Sequence, residues 1–327
     1  RKHRETKTQR QRDTKTNTYL IDQDPKLSNS PSLIITGDTE RSLFDPFGAF
    51  AINGGQYVDN QWQPTRSSDY NNIINRGRCY ERPIHAEFYF NDGSAGFRTD
   101  CGLRAAASSY SRPRMLMDQF SSSPWPARGT QKPSFNLYFR DEYGNSEVQL
   151  PLNGIDDPID TYKRFRVRAG KNDIKNPFIV DELVRRMSRD MGQPASTGVI
   201  NTLYVNAELK GFYNMVERLR SPWFASVHGS DSETDWDTLA LQGKASNVAE
   251  GDMMAWDEMI RRLNKSRSNA NWARVLEMAD VTNMIDYYLE RSQTMAFCPI
   301  AEAGGLDCDL HSDPRSGGHK VVVLPET

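Results

Sequence analysis

The sequence predicts an α+β fold in two lobes, with a β-rich N-terminal half and a helical C-terminal half. Two patterns carry this expectation. Through about residue 218, apolar residues alternate with polar ones in short runs separated by Gly, Asn, Asp and Pro, as strands and hairpins require. Beyond about residue 250 they recur at three- and four-residue spacing in three stretches, the stripe of short amphipathic helices. Residues 1–29 read as a basic flexible tail or linker. Residues 30–327 read as one domain, its β-rich lobe over about 30–220 and its helical lobe over about 221–327.

Composition narrows the classes of function. The chain has 327 residues, enough for one large domain or two lobes, and 10% aromatic residues in a polar background suit a globular protein with long surface loops. A formal net charge of -2 implies no polyanionic partner overall. No apolar run approaches the roughly 20 residues that span a bilayer. The chain opens on Arg1 with no visible signal peptide, so it is expected to be a mature or excised piece. None of its four cysteines forms a CxxC pair, which argues against a zinc knuckle. Cys79 and Cys101 flank a pair of strands and read either as a cross-strand disulfide, in an oxidising compartment, or as two buried thiols. Cys298 and Cys308 could pair across a short loop.

The elements follow in order. Residues 1–16 are basic and polar with no large apolar side chain, so they cannot bury enough surface to fold alone. No aromatics interleave them and the rest of the chain adds no positive field, so no nucleic-acid partner is expected. Residues 32–36 (SLIIT) form a short strand, and Asp45-Pro46 and Gly54-Gly55 mark turns. Residues 56–75 read as a long polar and aromatic surface loop. Residues 84–90 (IHAEFYF) form a strand, Asn91-Asp92-Gly93 its hairpin turn, and the return runs from Gly96 to Cys101-Gly102. Residues 103–109 are rich in small side chains; after a Pro/Ser-rich excursion, residues 132–140 (KPSFNLYFR) alternate as a strand. Residues 142–152 are a turn and short strand. Residues 161–170 (TYKRFRVRAG) form a basic strand, with Phe165 and Val167 on one side and the arginines on the other.

A helix comes next, capped by Asn176, opened by Pro177 and ended by Gly192, with Pro194 beyond. Its stripe of Ile179, Leu183, Met187 and Met191, beside Val180 and Val184, is expected to pack on the sheet, leaving Glu182, Arg185, Arg186 and Arg189 outward. Residues 235–241 make a short strand or turn. Met253, Trp256, Ile260 and Leu263 line one later helix, and Trp272, Val275, Leu276 and Ala279 a second. Asp280 caps a third, with Val281, Met284, Ile285, Tyr288 and Leu289 inward.

The most informative stretch is residues 202–218 (TLYVNAELKGFYNMVER), a β-hairpin. Val199, Leu203 and Val205 alternate on the first arm, Asn206 and Gly211 bracket the turn, and residues 212–216 return. The second arm ends in Glu217-Arg218 before the chain turns irregular at Ser221-Pro222. The run resembles the CotH family, spore-coat-type atypical protein kinases, whose pattern is Tyr-x-Asn-Gly-x-x-x-Gly-x-Tyr-x-x-x-Glu-Arg. Tyr204, Asn206, Gly211, Tyr213, Glu217 and Arg218 match it, and Ala207 stands at the turn Gly. The resemblance covers about residues 30–290. It implies a protein-kinase-like fold, ATP with Mg²⁺ or Mn²⁺, and transfer of the γ-phosphoryl group to Ser/Thr of a secreted or surface protein. It also implies an extracytoplasmic or secreted location.

Phosphoryl transfer needs a phosphate cradle, carboxylates that hold metal and a residue near the acceptor hydroxyl. In the family a small-residue turn and a Ser-Arg pair, here Ser111-Arg112, precede Lys-x-Ser-Phe, here from Lys132. Small residues let backbone approach a phosphate, and Lys132 would supply a point charge; without the resemblance it is a solvated strand-end lysine. Ala105, Ala106 and Ala107 stand where the family has glycines, and residues 115–130 lengthen the gap to the lysine. Glu182 is a candidate partner of Lys132, or else a first-turn glutamate favoured by the helix dipole. Glu217 would lie at the adenine hinge.

The family's Asp-Trp-Pro-x-x-Asn catalytic loop is not intact, and its place reads DCDLHSD. Asp307 and Asp309 stand either in the catalytic loop, with residues 319–324 (HKVVVL) as the following strand, or as the metal pair itself. The strand character of HKVVVL favours the first, and the metal ligands stay unassigned. Asp307, Asp309 and His311 also permit a metal cluster. A second reading is therefore an inactive kinase-like scaffold serving as an extracellular coat or binding module, with Tyr57, Trp62, Tyr70 and Trp125 displayed in loops. A glycoside hydrolase would need two carboxylates facing one cleft, and no spacing selects such a pair.

Overall fold

The structure, a computed structural model, describes residues 29–107, 109–115, 117, 132–152, 160–170, 179–193, 195–218, 223–225, 236–242, 245–265, 268–296 and 320–323. It is mixed α+β, as expected. The β-rich part is a closed seven-stranded barrel in place of a clear two-lobed arrangement. The barrel strands are β1 (Ser32–Thr36), β2 (Arg82–Tyr89), β3 (Ala95–Ala106), β4 (Ser134–Tyr138), β5 (Arg164–Arg168), β6 (Gly198–Val205) and β7 (Glu208–Glu217). Their order around the barrel is β1-β6-β7-β5-β4-β3-β2. The first strand closes it, pairing parallel with β6 and antiparallel with β2, so that no edge is left among these strands.

Alternation sorts the barrel residues by face. Leu103, Ala105, Phe135, Leu137, Phe165, Val167, Leu203, Val205, Tyr213 and Met215 fill the interior. Aromatic rings dominate it: Phe165 stacks on Phe97 at 6.2 Å between centroids and meets Phe139 edge-on at 5.8 Å. The opposite parity of the same strands faces outward as Arg104, Asn136, Tyr138, Arg164, Arg166, Arg168 and Asn214.

One difference from the sequence reading concerns the small-residue stretch. The return strand β3 runs to Ala106, past the expected end at Gly102. Ala105 and Ala106 thus pair with Phe135 and Ser134 inside the sheet and are buried, so they form no open turn. Below them Arg112, 7% exposed, donates to four carbonyls, those of Ile73, Asn75, Ala105 and Ala107. Burial and the nearby Arg76 and Arg104 push its pKa down to about 10.

The aromatic loop is more ordered than expected. Strands Gln56–Val58 and Gln61–Gln63 pair within it, and Trp62 is buried with Nε1 donating to the Gly54 carbonyl at 2.9 Å. Trp62 is thus not on display, because its polar edge is satisfied by backbone and its rings join the core. Cys79 and Cys101 are free: Cys101 lies in the core, where burial pushes its thiol pKa up, whereas Cys79 is exposed. Cys298 and Cys308 lie outside the described residues.

Among the described residues the longer helices are α1 (Val180–Asp190), α2 (Met254–Asn264), α3 (Asn269–Met278) and α4 (Val281–Ala296). Gly192, at φ 78°, follows α1, as read; Asn176, Pro177 and Pro194 are not among the described residues. Asp280 caps α4 by accepting from the Asn283 N–H at 2.8 Å. The expected inward stripe of α4 is not buried, since Met284, Ile285, Tyr288 and Leu289 are all about half exposed. In α2 and α3 the buried residues are Met259 and Val275, while Leu263, Trp272 and Leu276 are exposed. A further sheet holds β8 (Asp237–Gln242) between β9 (Ala245–Glu250) and β10 (Lys320–Val323). The last of these is the strand expected over residues 319–324.

The β6–β7 turn has Asn206 at φ 48° and Ala207 at φ 67°, both left-handed, as a two-residue hairpin loop requires. A Cβ is disfavoured there, so Ala207→Gly should stabilise the protein by about 1 kcal/mol, read as a higher Tm. Arg112→Met should cost at least about 3 kcal/mol, because four carbonyls lose a charged donor; the urea midpoint should fall at an unchanged m-value.

Candidate functional site

The outward arginines of β5 are placed there by their neighbours: Phe165 and Val167 must face the aromatic interior, so Arg164, Arg166 and Arg168 cannot. Helix α1 reaches this face with its charged side. Arg168 Nε lies 3.2 Å from Asp181 Oδ2, and Arg185 Nη2 lies 3.1 Å from the same oxygen. Glu182, 5% exposed, accepts from Arg185 at 2.8 Å, from Arg186 at 2.9 Å and from Asn214 Nδ2 at 3.3 Å. The expected orientation of α1 is therefore turned, with Ile179, Leu183 and Met191 exposed and Glu182 and Arg185 inward, while Arg186 is outward as expected. The reason is complementarity: the barrel offers Arg168 and Asn214, which an apolar stripe would leave unsatisfied.

Gly198 makes the approach possible. A Cβ there would sit 2.6 Å from Glu182 Oε2, 2.9 Å from Asn214 Oδ1 and 3.1 Å from Arg185 Nη1. The latter two atoms are buried with no hydrogen-bond partner, so the face still has polar capacity for water or a ligand. Burial lowers the Arg185 pKa, and the adjacent Asp181 and Glu182 oppose that shift.

Lys132 does not pair with Glu182. Its Nζ donates to the Phe212 carbonyl at 2.7 Å and lies 4.6 Å from the centroid of the Tyr213 ring; burial lowers its pKa. Glu182 is already neutralised by two arginines of its own helix, which removes the drive for the longer-range pair. The two regions are nonetheless at the same end of the barrel. Ser134, two residues after Lys132, accepts from the Ala169 N–H at 2.9 Å, and Asn214, two residues after Phe212, is the register partner of Arg168.

Glu217 ends β7, 5% exposed, and accepts from the Thr197 N–H at 2.6 Å while its own N–H donates to the Thr197 carbonyl at 2.9 Å. Asp307, Asp309, His311 and Trp125 lie outside the described residues. Among the described residues no group of three His, Cys, Asp or Glu side chains is placed to hold a metal, and no helix is long and apolar enough to cross a membrane. A groove of about 770 Å³ lies elsewhere, lined by residues such as Arg98, Glu147, Gln149 and Asp160.

The residues of this face that sequence reasoning did not single out are Arg168 and Asp181. Their signal was present: an arginine in every second place on a strand, followed by an acidic pair, Asp181-Glu182, in the first turn of the next helix.

A family model described as CotH kinase protein matches residues 122–297, more than half of the chain. No curated protein matches it.

Gly198→Ala should lower stability by about 1–3 kcal/mol by forcing α1 off the barrel. A lower Tm in Gly198→Ala, with a lower urea midpoint at an unchanged m-value, checks it.

Proposed function

This chain belongs to the CotH kinase family, and we propose that it binds ATP with Mg²⁺ or Mn²⁺ on the outer barrel face beside α1. From there it transfers the γ-phosphoryl group to Ser/Thr hydroxyls of a secreted or surface protein. The observation that carries this reading is the Arg168–Asp181 pair, a strand cation held by a carboxylate of the following helix. Such a pair is how kinase-like sites keep a phosphate-binding cation aimed along the sheet. Here an arginine takes the place expected for a lysine, and its fork can bind two phosphate oxygens at once. Lys132, at the same barrel end, adds a second positive charge. In the two-lobed arrangement this reading implies, Glu217-Arg218 lead out of the barrel beside the adenine.

The divalent metal, when bound, neutralises charge on the phosphate oxygens. Asp307 and Asp309 are the carboxylates proposed to hold it or to serve the catalytic loop. One observation favours a second reading, an inactive kinase-like scaffold acting as an extracellular coat or binding module. The small-residue stretch at Ala105 and Ala106 is buried strand, with backbone already paired.

Calorimetry or thermal shift with ATP and either metal separates the two. Metal-dependent stabilisation of about 2.7 kcal/mol at a hundredfold excess over Kd is expected, and it should be lost in Arg168→Ala and in Asp309→Ala and weakened in Lys132→Ala. No response from the folded wild type with either metal would leave the scaffold reading in its place.

A further inference from the structure

On the same face, four residues back along β5 from Arg168 and so roughly 13 Å away, a second cluster of cations surrounds one phenol. Tyr138, 4% exposed, receives the Arg104 guanidinium at its hydroxyl, and Arg104 Cζ lies 4.4 Å from the centre of its ring. Asn136 Nδ2 donates to the same oxygen at 3.2 Å, and Arg218 bonds to it from the end of β7. Three donors thus converge on an oxygen with two lone pairs, so donor capacity is left over at that spot. Arg164, the register partner of Tyr138, and Arg140, over its ring at 5.1 Å, complete the cluster.

The charges do not balance. Arg140 is matched by Glu81 at 2.8 Å and Arg164 by Glu250 at 3.6 Å. Arg104 and Arg218 have no carboxylate partner among the described residues. Burial lowers the Arg218 pKa, and Arg164 and Arg104 lower it further. Arg112, which repels Arg104, spends its own donors on carbonyls. Two neighbouring guanidiniums held half-buried with one shared neutral acceptor are costly unless an anion completes them.

We propose that Arg104, Arg218 and Arg164 around Tyr138 form an oxyanion site for a phosphate-type dianion, distinct from the Arg168–Asp181 pair. Two uncompensated positive charges match the charge of about -2 on a phosphate monoester, and planar forks suit its oxygens. The phosphate could come from the nucleotide or from a phosphorylated residue of the acceptor protein. The charge argument holds whether or not the chain transfers phosphate.

The probe is inorganic phosphate, with chloride at equal ionic strength as control, read as a saturable rise in Tm and by calorimetry. Wild type and Arg168→Gln should respond alike, and Arg104→Gln and Arg218→Gln should bind at least tenfold more weakly. Tyr138→Phe keeps every cation and removes their shared acceptor, so phosphate should stabilise it more than wild type. Wild-type-like binding in Arg104→Gln or Arg218→Gln, a response in Tyr138→Phe no larger than wild type, or none in the folded wild type, would overturn the site. ATP locates the source. Competition with phosphate, and weaker ATP binding in Arg104→Gln, point to the nucleotide; a phosphate response intact at saturating ATP points to a phosphorylated acceptor. A phosphate response without any ATP response would keep this site and remove the kinase reading.

Discussion

Closure of the barrel by β1 is the constraint on which the rest of the structure depends. Leu33, Ile34 and Ile35 are all buried, which a strand with partners on both sides tolerates and an edge strand does not. The closing strand is held at both ends by the β6–β7 hairpin and the strand that leads into it. The Thr202 N–H donates to the Pro31 carbonyl at 2.8 Å, and the Asn206 side chain bonds both the N–H and the C=O of Gly37, at 2.9 and 3.0 Å. The family's signature asparagine is therefore a structural clamp. Once the ring is closed, the interior has one occupant set, and every second residue of β3, β4, β5 and β7 is committed to the outside.

That commitment creates an outer face with too much charge for an ordinary helix–sheet contact. Helix α1 settles it by docking through Asp181, Glu182 and Arg185. Buried ion pairs of this kind repay their desolvation only with good geometry and extra hydrogen bonds, and Glu182 has both, with three donors on two oxygens. The consequence is registry: one position of the helix brings Asp181 to Arg168 and Glu182 to Asn214 together. Just past the end of α1, Gln193 Nε2 donates to the Asn283 carbonyl of α4 at 3.3 Å.

The charged face also explains why neutralisation is uneven along β5. At the Arg168 end a helix supplies carboxylates. At the Arg164 end the supply is Glu250 and Glu81, and Tyr138 takes the remaining guanidiniums as a neutral acceptor. Among the described residues, Arg104 and Arg218 are left there with Tyr138 and no carboxylate.

Sequence alone determined the seven barrel strands in outline, several of the turns and the family. Period-two alternation is local, so Phe165 and Val167 could be set inside and the β5 arginines outside without knowing what covered them. The Asn206 turn, the Gly192 stop, the Asp280 cap and the strand near residue 320 were legible for the same reason, since each rests on the chemistry of a few adjacent residues. Only the tertiary structure decided barrel closure, which joins Ser32 to Thr202 across 170 positions and leaves no local trace. It also decided which side of α1 meets the barrel. Helical spacing says which side chains share a face, but the partner's charge decides which face docks, and here Arg168 and Asn214 selected the acidic one. The pairing of Lys132 with Glu182 failed on that same point, because a carboxylate bonds the cation that packing brings to it.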